Sequence, residues 1–151
     1  MKENGNVTPR QTESDGQQKL PVALEAFDIV RETLIAEAGN TEEVRQALLA
    51  CDEWIANVVN YSGADDFSFI CRSNGETLCI SFSDNGIPFD PTQSTGTTAE
   101  FEYLDLGGMG INLIRQSAKK MAYKREGNYN ILTLYFECNA VRKQKKEDTV
   151  T

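Results

Sequence analysis

Residues 67–91 read FSFICRSNGETLCISFSDNGIPFDP. Two β-rich runs, FSFICRS and ETLCISFSD, flank Asn74-Gly75, a pattern that predicts a β-hairpin. The second run ends in Asp84, and Asn85-Gly86 then turns the chain. An ordinary strand exit needs no acid before its turn and no Ile-Pro-Phe step after it. Alone, the segment reads as a turn. Read as the wall of a pocket, it offers a carboxylate at a strand end and a glycine that lets a ligand approach the backbone. Ile87, Pro88 and Phe89 would then shape an apolar edge.

Upstream of the hairpin, apolar residues fall at helical spacing from about Leu24 to Ala38, at Phe27, Val30, Leu34 and Ala38. Gly39-Asn40 stops this helix. A second helix follows, with Asn40 expected as N-cap and Glu43 as its capping-box partner. Its apolar stripe runs Val44, Leu48, Cys51, Ile55, Val58, and Tyr61 to Asp66 end it in turn residues. Downstream, 91–106 form a polar loop, long enough to be functional or mobile. Gly107, Gly108 and Gly110 then precede a helix with Ile111, Ile114 and Ala118 on one side, expected to run into KKMAYKRE. Gly127-Asn128 turns the chain into the strand YNILTLYFEC. The order helix, helix, strand, strand, loop, helix, strand predicts an α+β two-layer sandwich, with a mixed, mostly antiparallel sheet and helices on one face.

The 151 residues suit one domain with a core of its own. Residues 1–18 are polar and read as disordered, with a possible short strand or lead-in over Leu20 to Val22. Residues 19–139 are the expected domain, and 140–151 a charged tail. No apolar run has the length of a membrane span, and the N-terminus lacks a signal core, so a cytoplasmic protein is expected. The net charge of −8 argues against direct nucleic-acid binding. Four cysteines stand singly in apolar patterns and read as buried free thiols. With no histidine in the chain, Ser-His-Asp and Cys-His chemistry is excluded, and acid–base work must rest on carboxylates, Lys, Tyr or Cys.

Three pieces could share one site. Glu53 and Asn57 lie four apart on the second helix and so share a face. That face reads either as solvated surface or as a pair aimed into a cleft, where the carboxylate deprotonates a hydroxyl and the amide oxygen holds Mg²⁺. Asp84 and Gly86 could meet a base such as adenine, the carboxylate accepting from its exocyclic amine. Gly107-Gly108-Met109-Gly110 before a helix could offer N–H groups to phosphates, or could be only a flexible loop exit. There is no GxxxxGK[ST], so no P-loop is present.

In order and spacing, ExxxN on a helix, DxGxPFDP after a strand, and GGxG at a helix start resemble the GHKL ATPase superfamily and its Bergerat ATP-binding fold. Within it the sequence looks closest to the small anti-sigma factor serine/threonine kinases, chiefly through the Pro-Phe-Asp-Pro continuation. The resemblance covers roughly residues 20–138. It implies ATP and Mg²⁺ as cofactors, Glu53 as catalytic base, Asn57 as ATP-binding residue and Mg²⁺ ligand, and Asp84 as the adenine-reading carboxylate with Gly86 beside it. Gly108 and Gly110 match the lid glycines, and Thr133 is expected near the adenine on the last strand. It further implies an enzyme that phosphorylates a serine of a STAS-domain anti-anti-sigma factor, binds a sigma factor, and forms a homodimer, with no nucleic-acid or membrane contact. Two departures stand out: Tyr61, where the family often has His, and Met109, where it sometimes has Arg. They keep open a nucleotide-sensing binding module with weak chemistry; a separate alternative is the ATP domain of a histidine-kinase-like protein.

Overall fold

The computed structural model describes residues 16–93 and 110–138. Most of the 91–106 loop, Gly107, Gly108, Met109 and the C-terminal tail lie outside the described residues. The elements in chain order are β1 (Gln18–Leu20), α1 (Glu25–Ala38), α2 (Glu42–Asn57), a single π-helical turn (Val58–Ser62), β2 (Phe67–Ser73), β3 (Thr77–Asp84), a helix over 110–117 (α3), β4 (Lys120–Glu126) and β5 (Tyr129–Glu137).

The five strands form one sheet in the order β1-β2-β3-β5-β4, and every neighbouring pair is antiparallel. This is the expected α+β architecture with an open sheet. The β2–β3 hairpin forms as predicted, although the turn is centred one residue later, on Gly75-Glu76, because Ser73 pairs with Leu78 and Asn74 with Thr77. Asn74 Oδ1 accepts from the N–H groups of Glu76 and Thr77 at 2.9 and 2.8 Å, an Asx turn that holds the corner.

Alternation along the two central strands decides what faces the helices. On β3 the buried positions are Leu78, Ile80, Phe82 and Asp84; on β5 they are Asn130, Leu132, Leu134 and Phe136. Each row is apolar until its last member on one edge of the core, where Asp84 pairs directly with Asn130. Phe82 packs between Phe67 and Phe69, with ring centroids 5.9 and 6.2 Å away.

Both helices bury their stripes against this face. On α1 the fully covered residues are Ala26, Ile29, Val30 and Leu34, while Phe27 and Ala38 are only partly buried. On α2 the whole expected stripe, Val44 to Val58, is buried, and Ala47, Ala50 and Trp54 widen it. The N-cap is Thr41, not Asn40: its extended backbone lets Oγ1 accept from Val44 N–H at 3.2 Å, while Asn40 Oδ1 takes a bond from Arg45 instead.

The expected long helix after the glycines is corrected. The helix stops at 117, Lys119 N–H bonds to Tyr135 O at 2.7 Å, and KMAYKRE forms β4 at the sheet edge. An edge strand has one neighbour and needs no apolar run, and its Lys, Arg and Glu guard the open edge. Such a strand carries none of the apolar pattern that marks β5. Among the described residues no helix is long and apolar enough to cross a membrane.

The four cysteines are free, with Cys51 and Cys138 buried and Cys71 and Cys79 partly so. Burial pushes the Cys51 thiol well above its ordinary value and that of Cys71 up to about 12, which removes them as nucleophiles.

Candidate functional site

The C-terminal part of α2 supplies the first wall. Glu53 lines a cavity of about 500 Å³ whose other described lining residues are Gly110, Asn112, Leu113 and Gln116 of α3. A Cβ on Gly110 would lie 2.3 Å from Glu53 Oε1 and 3.3 Å from Glu53 Cβ, so α3 packs closely on this side chain and any larger residue would displace the carboxylate. Of the two expected lid glycines, Gly110 therefore reaches Glu53, and Gly108 lies outside the described residues.

One turn further on, Asn57 is 2% exposed. Its Nδ2 donates to Glu53 O at 2.9 Å, and this bond turns the amide so that Oδ1 faces away from the helix backbone. Oδ1 is buried and has no hydrogen-bond partner among the described residues. An amide oxygen left in this state costs about 1–3 kcal/mol unless something outside the chain binds it, and it is a donor atom that suits Mg²⁺. Among the described residues no cluster of three or more His, Cys, Asp or Glu forms a metal cage. A cation here would rest on Asn57 and on ligand oxygens.

The second wall is the turn after β3, held against the end of α2. After Asn57 the helix widens into the π turn, whose last residue, Ser62, caps back through Oγ to Val58 O at 2.7 Å. The Ser62 carbonyl then accepts from Ile87 N–H at 3.0 Å. Gly86 lies flat against this contact, where a Cβ would sit 2.6 Å from both Ser62 Cβ and Ser62 O. The glycine thus answers to Ser62 before any ligand arrives. One link ties this turn to α2 beside Glu53: the Phe89 ring stacks on Trp54 with centroids 6.5 Å apart and planes at 18°. Two arginines hold the turn from outside. Arg125 donates to Gly86 O at 2.9 Å, and Arg115 of α3 donates to Pro91 O at 2.7 Å.

Asp84 is at the centre of this wall, 1% exposed. Its Oδ1 accepts from Gly86 N–H at 2.9 Å and from Asn130 Nδ2 at 3.1 Å. Burial pushes the carboxyl above its ordinary value, while the bonds from Asn130 and Gly86 and the Arg125 charge pull it back.

Thr133 is not brought to this site. Strand alternation puts it on the sheet face away from the helices, where its hydroxyl pairs with that of Ser81 at 3.0 Å. The β5 residue that meets Asp84 is Asn130, three positions earlier and on the opposite face. Its signal was present in YNILTLYFE, where one amide interrupts an otherwise apolar inward row. Ser62 and Trp54 also escape a reading by motif, because each acts through a contact between distant segments.

Residues 20–136 match the histidine kinase-like ATPase domain family, which is most of the chain and includes both walls. The chain belongs to that family. Membership implies ATP binding, the family's common property. This histidine kinase-like ATPase domain is also similar to solved structures. The Acinetobacter baumannii histidine kinase AdeS has 19% identity and a TM-score of 0.45, over 64% of this chain and 47% of that one. The histidine kinase domain from the Erythrobacter litoralis EL346 blue-light activated histidine kinase has 14% identity and a TM-score of 0.44, over 93% of this chain and 68% of that one. The chain thus spans about half the length of the first. No curated protein matches the sequence.

Proposed function

We propose that this ATPase-family domain is an anti-sigma factor serine/threonine kinase. It binds MgATP, transfers the γ-phosphate to a serine of a STAS-type anti-anti-sigma factor, and in its other state holds a sigma factor, as a homodimer. The observation that carries the chemistry is the pair on α2: the Glu53 carboxylate in a cavity wall, and one turn on the buried, unpartnered Asn57 Oδ1. In this mechanism Asp84 takes the adenine amine and the 86–89 turn covers the base edge. Asn57 would hold Mg²⁺, which would supply neutralisation of the phosphate charge. Glu53 accepts the proton of the substrate serine as its oxygen bonds to the γ-phosphorus and the bond to ADP breaks. Positioning and charge neutralisation supply most of such catalysis, and the base adds the proton transfer. The Pro-Phe-Asp-Pro continuation supports the anti-sigma subtype, and Phe89 in it supports the pocket by stacking on Trp54.

The test is phosphotransfer from labelled ATP to a purified STAS-domain protein. Label on a serine, lost in Glu53→Gln while ATP still binds, is the expected result. Full transfer by the variant would overturn the assigned base. ATP binding without transfer would favour the second reading, a nucleotide-sensing module, for which Tyr61 in place of the usual His speaks. Transfer to a histidine of another protein would instead mark the domain as the ATP half of a histidine kinase, since this chain has no histidine to accept it.

A further inference from the structure

Asn130 is 3% exposed and uses both ends of its amide. Nδ2 donates to Asp84 Oδ1 at 3.1 Å and to Ile87 O at 2.8 Å. Oδ1 accepts from Tyr123 O–H at 2.6 Å and from Phe89 N–H at 3.3 Å. Two donors and two acceptor bonds nearly exhaust an amide. They also fix its orientation, because a flip would set oxygen against the Asp84 carboxylate and Ile87 O, and NH₂ against Phe89 N–H. The consequence falls on Asp84. Its Oδ1 is occupied twice, by Asn130 and by Gly86 N–H, while Oδ2 has no protein hydrogen bond among the described residues. A lone carboxylate on a strand end could rotate; this one is clamped by one oxygen, with the other left open.

The geometry assigns Asn130 as the positioning residue that clamps Asp84 and presents Oδ2 as a hydrogen-bond acceptor for the amino group of a 6-aminopurine. This deepens the nucleotide-binding reading above and rests on it. The same amide holds Ile87 O and Phe89 N–H, so one side chain sets both the acceptor and the apolar edge beside it. Selection of the base then comes from β5 as well as from the turn.

The experiment compares binding of ATP and of purine riboside 5′-triphosphate, which lacks only the 6-amino group, by calorimetry. Wild type should prefer ATP by roughly 10- to 100-fold, the worth of one hydrogen bond to a charged acceptor. Asn130→Leu should bring that ratio towards unity. Should that variant not fold, Asn130→Asp decides the matter, since it keeps the acceptor oxygen for Tyr123 and Phe89 and changes only the donor. Facing the resulting carboxyl pair are Arg125 and Tyr123 of β4, with Asp90 beyond the turn. A protonated Asp there can donate to Asp84 and an ionised one cannot, so its preference for ATP should return as pH falls. A purely structural role would not give a base preference that follows the proton. An unchanged ratio in a folded Asn130 variant, or a wild type that binds both triphosphates equally, would overturn the assignment while leaving nucleotide binding intact. Binding of neither triphosphate would overturn the nucleotide reading itself.

Discussion

Gly86→Ala isolates the contact that holds the two walls together. The new methyl would sit 2.6 Å from Ser62 Cβ and from Ser62 O, and 2.8 Å from Ser62 Oγ. Relaxed carbon contacts lie about 3.5–4.0 Å apart, so the overlap is roughly 1 Å. One of the opposing atoms is a backbone oxygen, which cannot rotate aside, and it is the acceptor for Ile87 N–H at 3.0 Å. Overpacking of this kind costs about 1–3 kcal/mol, and the hydrogen bond adds about 0.5–1.5 kcal/mol if the turn lifts off. The expected loss is therefore about 1.5–4.5 kcal/mol, or roughly 6–18 °C in Tm at about 4 °C per kcal/mol for a domain of this size. Thermal unfolding followed by circular dichroism measures it. Gly127→Ala, at φ +61° with open space around it, is the comparison and should show only the left-handed backbone cost of about 1–2 kcal/mol. Ser62→Gly removes the Cβ and Oγ overlaps but leaves the carbonyl, so it should rescue Gly86→Ala in part, with a coupling of about 0.5–3 kcal/mol. A Gly86→Ala protein within about 0.5 kcal/mol of wild type would refute the close packing of the turn on Ser62.

Other perturbations test the remaining parts. Phe89→Ala should cost about 3 kcal/mol or more by cavity formation; because Trp54 is the sole tryptophan and stacks on Phe89, its emission should shift in the same variant. An unchanged spectrum would mean the rings do not meet in solution. Asn57→Ala should remove the Mg²⁺ dependence of ATP binding, yet cost less than about 1 kcal/mol in stability because it also removes an unpartnered buried oxygen; a Mg²⁺ response equal to wild type would count against the ligand. Asp84 has a folded value raised by burial, so the folded state holds its proton more tightly than the unfolded chain. Its contribution to stability is present below the ordinary carboxylate range and is lost as pH rises through the raised value. Asp84→Asn should abolish ATP binding while removing that decline, read as urea midpoints against pH for both proteins; parallel curves would contradict the burial argument.

Local pattern made much of this protein legible from one dimension. Helical periodicity marked α1 and the full α2 stripe, period-two alternation around a turn marked the β2–β3 hairpin, and spacing set Glu53 and Asn57 on one helix face. Asp84 at the end of a strand was visible for the same reason, since an acid closing an apolar row is a local anomaly. These signals survive in sequence because each depends on residues a few positions apart. The edge strand β4 was hidden because one-sided pairing requires no apolar pattern, and its charges resemble those of a helix surface. Thr41 took the cap from Asn40 through backbone geometry that neither residue type dictates. Register alone could choose between Thr133 and Asn130, because a strand side chain changes face with every residue and only pairing to β3 fixes which one meets Asp84. Likewise sequence showed Gly86 only as room for a ligand, and the packing of Gly86 on Ser62 and of Gly110 on Glu53 came from the fold. The residue types of the cleft were thus written in the chain, whereas their partners were decided by the packing of segments far apart in sequence, which no local spacing encodes.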